Sequence, residues 1–152
     1  MSGSQAERDL ATALDVCGYA VMRAPASGAG TEREMPDVLA GRATQPSGSA
    51  VVQTPSECLA IELKATSSTT AYVDASEVTA LERFAVDFGA RALLAVKFKG
   101  SGTRTRYWLV APEDARMTDS GTFGLPREDI NERARMVVLP ATATMDAELR
   151  TP

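Results

Sequence analysis

The chain has 152 residues, the usual size of one domain and enough to bury one hydrophobic core. Hydrophobic residues make up 44% and charged residues 24%, and no apolar run approaches the roughly 20 residues of a membrane-spanning helix. The first residues, 1–5, lack the basic and apolar segments of a secretory signal. We therefore expect a cytoplasmic protein, with no membrane partner.

The sequence contains no histidine, and its two cysteines, Cys17 and Cys58, are far apart. This composition excludes nucleophile systems that depend on histidine and the usual zinc sites. Catalysis would have to use carboxylates, lysine, arginine, tyrosine or hydroxyls. A metal ion would be held by oxygen ligands, which favours Mg²⁺ or Mn²⁺.

The formal net charge of −4 at pH 7 would by itself disfavour a nucleic-acid partner. However, 13 of the 16 basic residues are arginines, a composition typical of salt-adapted or GC-rich organisms. At about 1 M salt the Debye length is only about 3 Å, so direct contacts outweigh the overall charge. The net charge therefore does not decide the class of partner.

In chain order, the hydrophobic pattern first predicts an amphipathic helix over 5–17, capped by Ser4 and ended by Gly18. Two short strands are expected over 19–23 and 37–42. In the next strand, Leu59, Ile61 and Leu63 alternate with Ala60, Glu62 and Lys64. This alternation predicts one buried face and one face with opposite charges.

A second helix is expected to begin after Asp74 or Ser76 and to end at Gly89. Its predicted buried stripe consists of Val78, Leu81, Phe84, Ala85 and Phe88. Two strands follow over 92–99 and 104–110, and the glycine-rich residues between them predict a hairpin.

The pattern after residue 112 is weaker and predicts a short helix over 126–135 and an edge strand over 137–139. The whole order predicts an α/β fold with a mixed sheet. We expect a single domain over 1–140 and a flexible C-terminal tail over 141–152.

Two carboxylates and a lysine form the main candidate site. Asp37 begins a predicted strand, and Glu62 and Lys64 share one face of another. If these strands are neighbours, Asp37 and Glu62 converge, and close carboxylates repel each other unless a cation lies between them. The cluster is then either a metal site or an ion-paired cluster with Lys64 and nearby arginines.

As a metal site, the cluster suits phosphodiester hydrolysis. Mg²⁺ held by the two carboxylates and the main-chain carbonyl of Leu63 would activate a water, while Lys64 would position that water or stabilise the transition state. On the first helix, Glu7 would be an outer ligand or orient a metal-bound water, and Arg8 would bind a phosphate oxygen. A strand ending in Glu-x-Lys is also common on half-exposed sheets, so the spacing alone does not establish a nuclease.

Several motifs run along the chain in a characteristic order. They are QAERDL at 5–10, GYAVMRAPASG at 18–28, MPDVLAG at 35–41, AIELKAT at 60–66, YV at 72–73, LERFAVDFGA at 81–90 and LAVKF at 94–98. Together they closely resemble the archaeal Holliday junction resolvases, and the resemblance covers roughly residues 4–110.

The resemblance implies a restriction-endonuclease-like fold, with a mixed central sheet flanked by helices. It implies a homodimer that recognises four-way DNA junctions in homologous recombination and repair, and that cuts two opposing strands symmetrically. The implied cofactor is Mg²⁺, with Mn²⁺ as an alternative ion. A metal-activated water attacks phosphorus and leaves a 5′-phosphate and a 3′-hydroxyl.

The resemblance also implies roles for individual residues. The catalytic positions of the family are matched by Glu7, Asp37, Glu62, Lys64 and the loop serine Ser27. The expected metal ligands are Glu7, Asp37, Glu62 and Leu63. The expected DNA contacts are Arg8, Arg23 and Ser27. Apart from the resemblance, Lys97 on a predicted half-exposed strand is a further candidate DNA contact.

Two questions stay open at this point. The dimer surface is expected on the face of the hairpin that carries Tyr107 and Leu109, or on part of the second helix. The alternative functions are a related nuclease that acts on flaps or other branched DNA, and a junction-binding protein without catalysis. A recombination protein or a replication clamp is a conceivable further partner.

Overall fold

The computed structural model describes residues 3–25, 34–43, 56–100 and 106–138. Four sequence predictions lie wholly or mostly outside these residues: the loop that contains Ser27, the turn over 44–49, the glycine-rich connection between the two hairpin strands and the tail over 141–152.

The described residues form three α-helices, nine β-strands and one 3₁₀ turn. They are α1 (Gly3–Val16), β1 (Ala20–Arg23), β2 (Val38–Ala43), β3 (Ser56–Thr66), β4 (Thr70–Asp74), α2 (Ala75–Phe88), β5 (Arg91–Phe98), β6 (Tyr107–Val110), a 3₁₀ turn (Pro112–Asp114), β7 (Arg116–Met117), β8 (Thr122–Pro126), α3 (Ile130–Arg133) and β9 (Met136–Val138). The predicted α/β class is confirmed. None of the helices in the described part of the chain combines the length and apolar character that a membrane span requires.

In the described residues, six strands form a mixed sheet in the order β1-β2-β3-β5-β6-β9. β3 and β5 run parallel, while the other neighbouring strands are antiparallel. The predicted hairpin is confirmed by the pairing of β5 with β6, and β9 lies at the predicted edge. A second sheet, in the order β4-β8-β7, was not predicted.

The six-stranded sheet is buried on both faces. Leu59, Ile61 and Leu63 of β3 pack in one hydrophobic cluster with the apolar side of α1. Ala60 of β3 belongs to a second cluster with the buried side of α2. Because helices cover both faces of the sheet, β5 is buried without interruption from Leu93 to Phe98, as is typical of parallel strands inside α/β folds.

Both ends of α2 follow the sequence signals. Asp74 is the N-cap, and its backbone N–H donates to Oε2 of Glu77 at 3.1 Å in a capping box. At the other end, Gly89 adopts a left-handed φ of 81°, and its N–H donates to the carbonyl of Ala85 at 2.9 Å. Both termini of α2 are therefore fixed by local hydrogen bonds.

Three predicted details are wrong. The helix α1 already includes Ser4, so Ser4 does not precede it as a cap. Phe88 is 56% exposed because it stacks on Phe84 at the end of α2 instead of entering the core. Tyr107 and Leu109 are fully buried in the cluster under α1, so this face of the hairpin does not form a dimer surface.

The left-handed end of α2 gives a test of the fold. Gly89→Ala should lower the free energy of unfolding by about 1 kcal/mol, because a Cβ is strained at this φ. Equilibrium urea unfolding measures the change. Gly100→Ala is the matched control, since Gly100 has open space around it and no positive φ, and it should stay within about 0.5 kcal/mol of wild type. Equal losses in both variants would contradict the assigned role of Gly89.

Candidate active site

The pairing of β2 with β3 brings two carboxylates together. In this antiparallel pair Val38 lies opposite Ile61, so Asp37, which directly precedes β2, lies next to Glu62. The backbone N–H of Leu63 donates to Oδ2 of Asp37 at 2.8 Å and holds its carboxylate at this place. The expected convergence of Asp37 and Glu62 is therefore present.

The two carboxylates share an environment that disfavours two negative charges. Burial, together with the nearby charge of Asp37, raises the pKa of Glu62 to about 8. Burial also raises the pKa of Asp37, although the N–H of Leu63 and a hydrogen bond with Glu62 oppose this effect. The pair therefore retains a proton near neutral pH when no cation lies beside it.

Lys64 extends from the same face of β3 and contacts the second helix. Its Nζ donates to Oε1 of Glu77 at 2.8 Å. Burial alone would lower the pKa of Lys64, but the hydrogen bond and charge of Glu77, with the charges of Glu62 and Asp37, raise it. The ammonium of Lys64 is therefore charged throughout the neutral range.

Glu77 is the site residue that sequence reasoning missed. Burial would raise its pKa, but hydrogen bonds from Lys64 and from the N–H of Asp74 lower it below the ordinary value. The spacing of Asp74 and Glu77 is the signal of a capping box, and it locates Glu77 in the first turn of α2. That local signal carries no information on the contact with Lys64, which depends on how α2 packs on the sheet.

The predicted site residues of α1 and β1 are Glu7, Arg8 and Arg23. Glu7 forms an ion pair with Arg23, with Oε2 and a guanidinium nitrogen 3.6 Å apart. Burial and the charge of Asp37 raise the pKa of Glu7, while Arg23 and Arg8 lower it. Arg8 is exposed and donates to Oε1 of Gln5 at 3.3 Å. Glu7, paired with Arg23, is thus close enough to Asp37 to feel its charge, while Arg8 lies on the exposed side of α1.

Lys97 has a different environment. It is 6% exposed, and its Nζ lies 3.8 Å from Oδ2 of Asp9 and 5.6 Å from the centre of the Tyr107 ring. This ammonium is covered by α1, where it stabilises the packing of the helix on the sheet. We therefore do not propose a DNA contact for Lys97.

A cleft of about 220 Å³ opens beside Glu62. It lies between the residues that precede β2 and the first turns of α2, and it is lined by Glu34, Met35, Pro36, Glu62, Ser76, Glu77, Ala80 and Leu81. The cleft gives water and small ions access to Glu62. Its three carboxylates favour a cation over a bare phosphate.

The donor chemistry suits a hard divalent ion. In residues 3–25, 34–43, 56–100 and 106–138, no group of three or more Cys, Asp or Glu side chains is arranged to hold a metal. The pair Asp37 and Glu62, with the adjoining carbonyl of Leu63, offers only oxygen donors. Mg²⁺ commonly binds through one or two carboxylates and keeps several waters, so this small set fits Mg²⁺ or Mn²⁺.

Comparisons with known proteins give the family and the fold of the chain. The sequence model of the archaeal Holliday junction resolvase family matches residues 1–135. A solved structure of a Holliday junction resolvase from the archaeal hyperthermophile Archaeoglobus fulgidus matches with a TM-score of 0.64 at 26% sequence identity. The match covers 84% of this chain and 89% of that chain. The expected restriction-endonuclease-like fold is confirmed.

The raised pKa of Glu62 predicts a pH-dependent stability. Glu62 binds its proton more tightly in the folded state than in the unfolded state. The folded protein therefore loses stability as the pH rises from 4.5, the ordinary pKa of a glutamate, to about 8. Without divalent ions, Glu62→Gln should therefore be more stable than wild type at pH 9, by on the order of 1 to 2 kcal/mol, and similar near pH 5. Urea unfolding in EDTA at both pH values measures this difference.

Glu82→Gln is the matched control for this experiment, because Glu82 is an exposed carboxylate on α2. It should change the stability much less at either pH. A Glu62→Gln curve that follows wild type at all pH values would show that Glu62 does not retain a proton.

Proposed function

Because the chain belongs to the archaeal Holliday junction resolvase family, we propose that it is a Mg²⁺-dependent endonuclease that resolves four-way DNA junctions by paired symmetric nicks. The observation that carries this proposal is the cluster of Asp37, Glu62 and Lys64 at the ends of two neighbouring strands. A protein that only bound DNA would gain nothing from two converging carboxylates, since they repel phosphate. The proposed setting is homologous recombination and repair at the nucleoid.

Each group of the cluster has a proposed role in hydrolysis. Asp37 and Glu62, with the carbonyl of Leu63, would hold Mg²⁺, which when bound supplies Lewis acidity and a more acidic water. Glu62 has to release its proton before it can bind a cation, whereas the N–H of Leu63 already orients Asp37. The Nζ of Lys64 stabilises the charge that develops on the phosphate as a water oxygen bonds to phosphorus and the bond to the 3′-oxygen breaks.

The proposed DNA contacts lie beside this cluster. Arg8 on α1 and Arg23 on β1 are both exposed, and guanidinium groups bind phosphate oxygens in a bidentate manner. Glu7, which is paired with Arg23, would orient a water from outside the ligand shell. Ser27 is proposed as the loop residue near the cleaved strand. Residues 1–140 are proposed as one nuclease domain, followed by a tail over 141–152.

We propose α2 as the homodimer surface. The rings of Phe84 and Phe88 stack with their centroids 5.4 Å apart, and Phe88 is 56% exposed. Of the two surfaces that the sequence left open, the hairpin face with Tyr107 and Leu109 is buried. Two identical sites related by a two-fold axis would face the two equivalent strands of a four-way junction.

Cleavage of a synthetic four-way junction tests the proposed activity. Wild type should make paired nicks in Mg²⁺, and linear duplex should compete poorly. Asp37→Asn and Glu62→Gln should each lower the cutting rate by at least about 10³-fold, because each removes a charged metal ligand, while junction affinity stays within a few fold. Fluorescence anisotropy with the labelled junction measures that affinity in EDTA.

The matched controls are Asp119→Asn and Glu82→Gln, which remove exposed carboxylates and should cut at the wild-type rate. Mg²⁺ should also raise the melting temperature of wild type and of both controls, but not that of Asp37→Asn or Glu62→Gln. Tight junction binding without nicks would favour a binding protein. Equal cutting of flaps or linear duplex would favour a related nuclease.

Charge substitution on α2 tests the proposed dimer. Phe88→Asp should weaken self-association by at least about tenfold, because a central aromatic residue of an interface typically contributes about 2 kcal/mol. Sedimentation equilibrium gives the association constant. The monomeric variant should cut one strand of the junction at a time, without a paired cut in the opposing strand.

Met117→Asp is the control for this variant, since Met117 is 58% exposed on the second sheet. It should leave self-association unchanged. If Phe88→Asp dimerises as tightly as the control, the dimer surface lies elsewhere.

A further inference from the structure

The contact between Lys64 and Glu77 supports a role beyond helix capping. We infer that Glu77 is a positioning residue that holds Lys64 away from Asp37 and Glu62, so that a divalent cation can occupy the carboxylate pair. This inference rests on the proposed function, because it concerns the same site.

The geometry gives both oxygens of Glu77 a partner. Oε2 accepts the backbone N–H of Asp74 at 3.1 Å, and Oε1 accepts Nζ of Lys64 at 2.8 Å. The first bond fixes the carboxylate to the N-terminal turn of α2. The second bond therefore binds a flexible lysine side chain to a rigid acceptor, although the two side chains are 31% and 37% exposed.

The charges show what this contact prevents. Glu62 and Lys64 extend from the same face of β3, two residues apart, and Asp37 lies next to Glu62 across the β2–β3 pairing. Asp37, Glu62 and Glu77 therefore all attract the same ammonium. Without Glu77, the ammonium would be drawn to the carboxylate pair and would compete there with a divalent cation. Glu77 provides a separate anion for Lys64 and leaves the pair to the cation.

Glu77→Gln separates this role from helix capping. Glutamine at the third position of a helix still accepts the N–H of the N-cap residue, so α2 keeps its capping box. It has only one side-chain oxygen, however, and its NH₂ group cannot accept a hydrogen bond from Lys64. The variant should therefore fold and release the ammonium toward Asp37 and Glu62.

Calorimetric titration with MgCl₂ at pH 8 gives the main readout. The dissociation constant for Mg²⁺ should be about tenfold higher in Glu77→Gln than in Glu34→Gln, which removes the same charge from the same cleft. In a Lys64→Met background no ammonium competes, so Glu77→Gln and Glu34→Gln should then have equal effects. Asp74→Ala controls for the cap, and it should lower the unfolding midpoint without this loss of Mg²⁺ affinity.

Junction cleavage gives a second readout. Glu77→Gln should need about tenfold more Mg²⁺ for half-maximal single-turnover cutting, while its junction affinity in EDTA stays at the wild-type value. Suppose that wild type binds Mg²⁺ and cuts junctions, but that Glu77→Gln and Glu34→Gln lose the same Mg²⁺ affinity with and without Lys64. This result would overturn the present inference alone. A wild type that neither binds Mg²⁺ nor cuts junctions would overturn the proposed function together with it.

Discussion

The repulsion between two carboxylates is the constraint on which the site depends. Pairing of β2 with β3 places Asp37 beside Glu62, and burial makes this contact unfavourable when both groups are charged. This unfavourable contact lies where β2 begins to pair with β3, inside a well-packed sheet whose core on both faces keeps the strands in register. The stability of the core thus maintains an arrangement that the carboxylates themselves disfavour.

The surrounding groups are arranged around this repulsion without cancelling it. The N–H of Leu63 orients Asp37, and Arg23 pairs with Glu7. The nearest ammonium, that of Lys64, is bonded to a helix residue and leaves the pair with excess negative charge. A site with compensating lysine contacts at both carboxylates would be more stable, but it would have less affinity for a divalent cation.

The sequence predicts most of what is local. The alternation in β3 places Glu62 and Lys64 on one face, and Gly89 ends α2 as expected, because periodicity and backbone dihedral preferences act within a few residues. The burial of Lys97 and the exposure of Phe88 depend on which elements pack over them, and the pattern along a single strand or helix does not encode this. The second sheet was missed because its strands are short and β4 and β8 are far apart in the chain.

Glu77 shows most clearly where sequence reasoning ends. Its capping role follows from four consecutive residues, whereas its contact with Lys64 depends on the crossover that carries the chain from β3 to β5. The same helix carries Glu77 in its first turn and the stacked Phe84 and Phe88 in its last turns, about 10 and about 17 Å away at 1.5 Å per residue. The aromatic rings proposed for the dimer surface and the carboxylate that binds Lys64 therefore belong to one helix, so a displacement of α2 as a unit would move both.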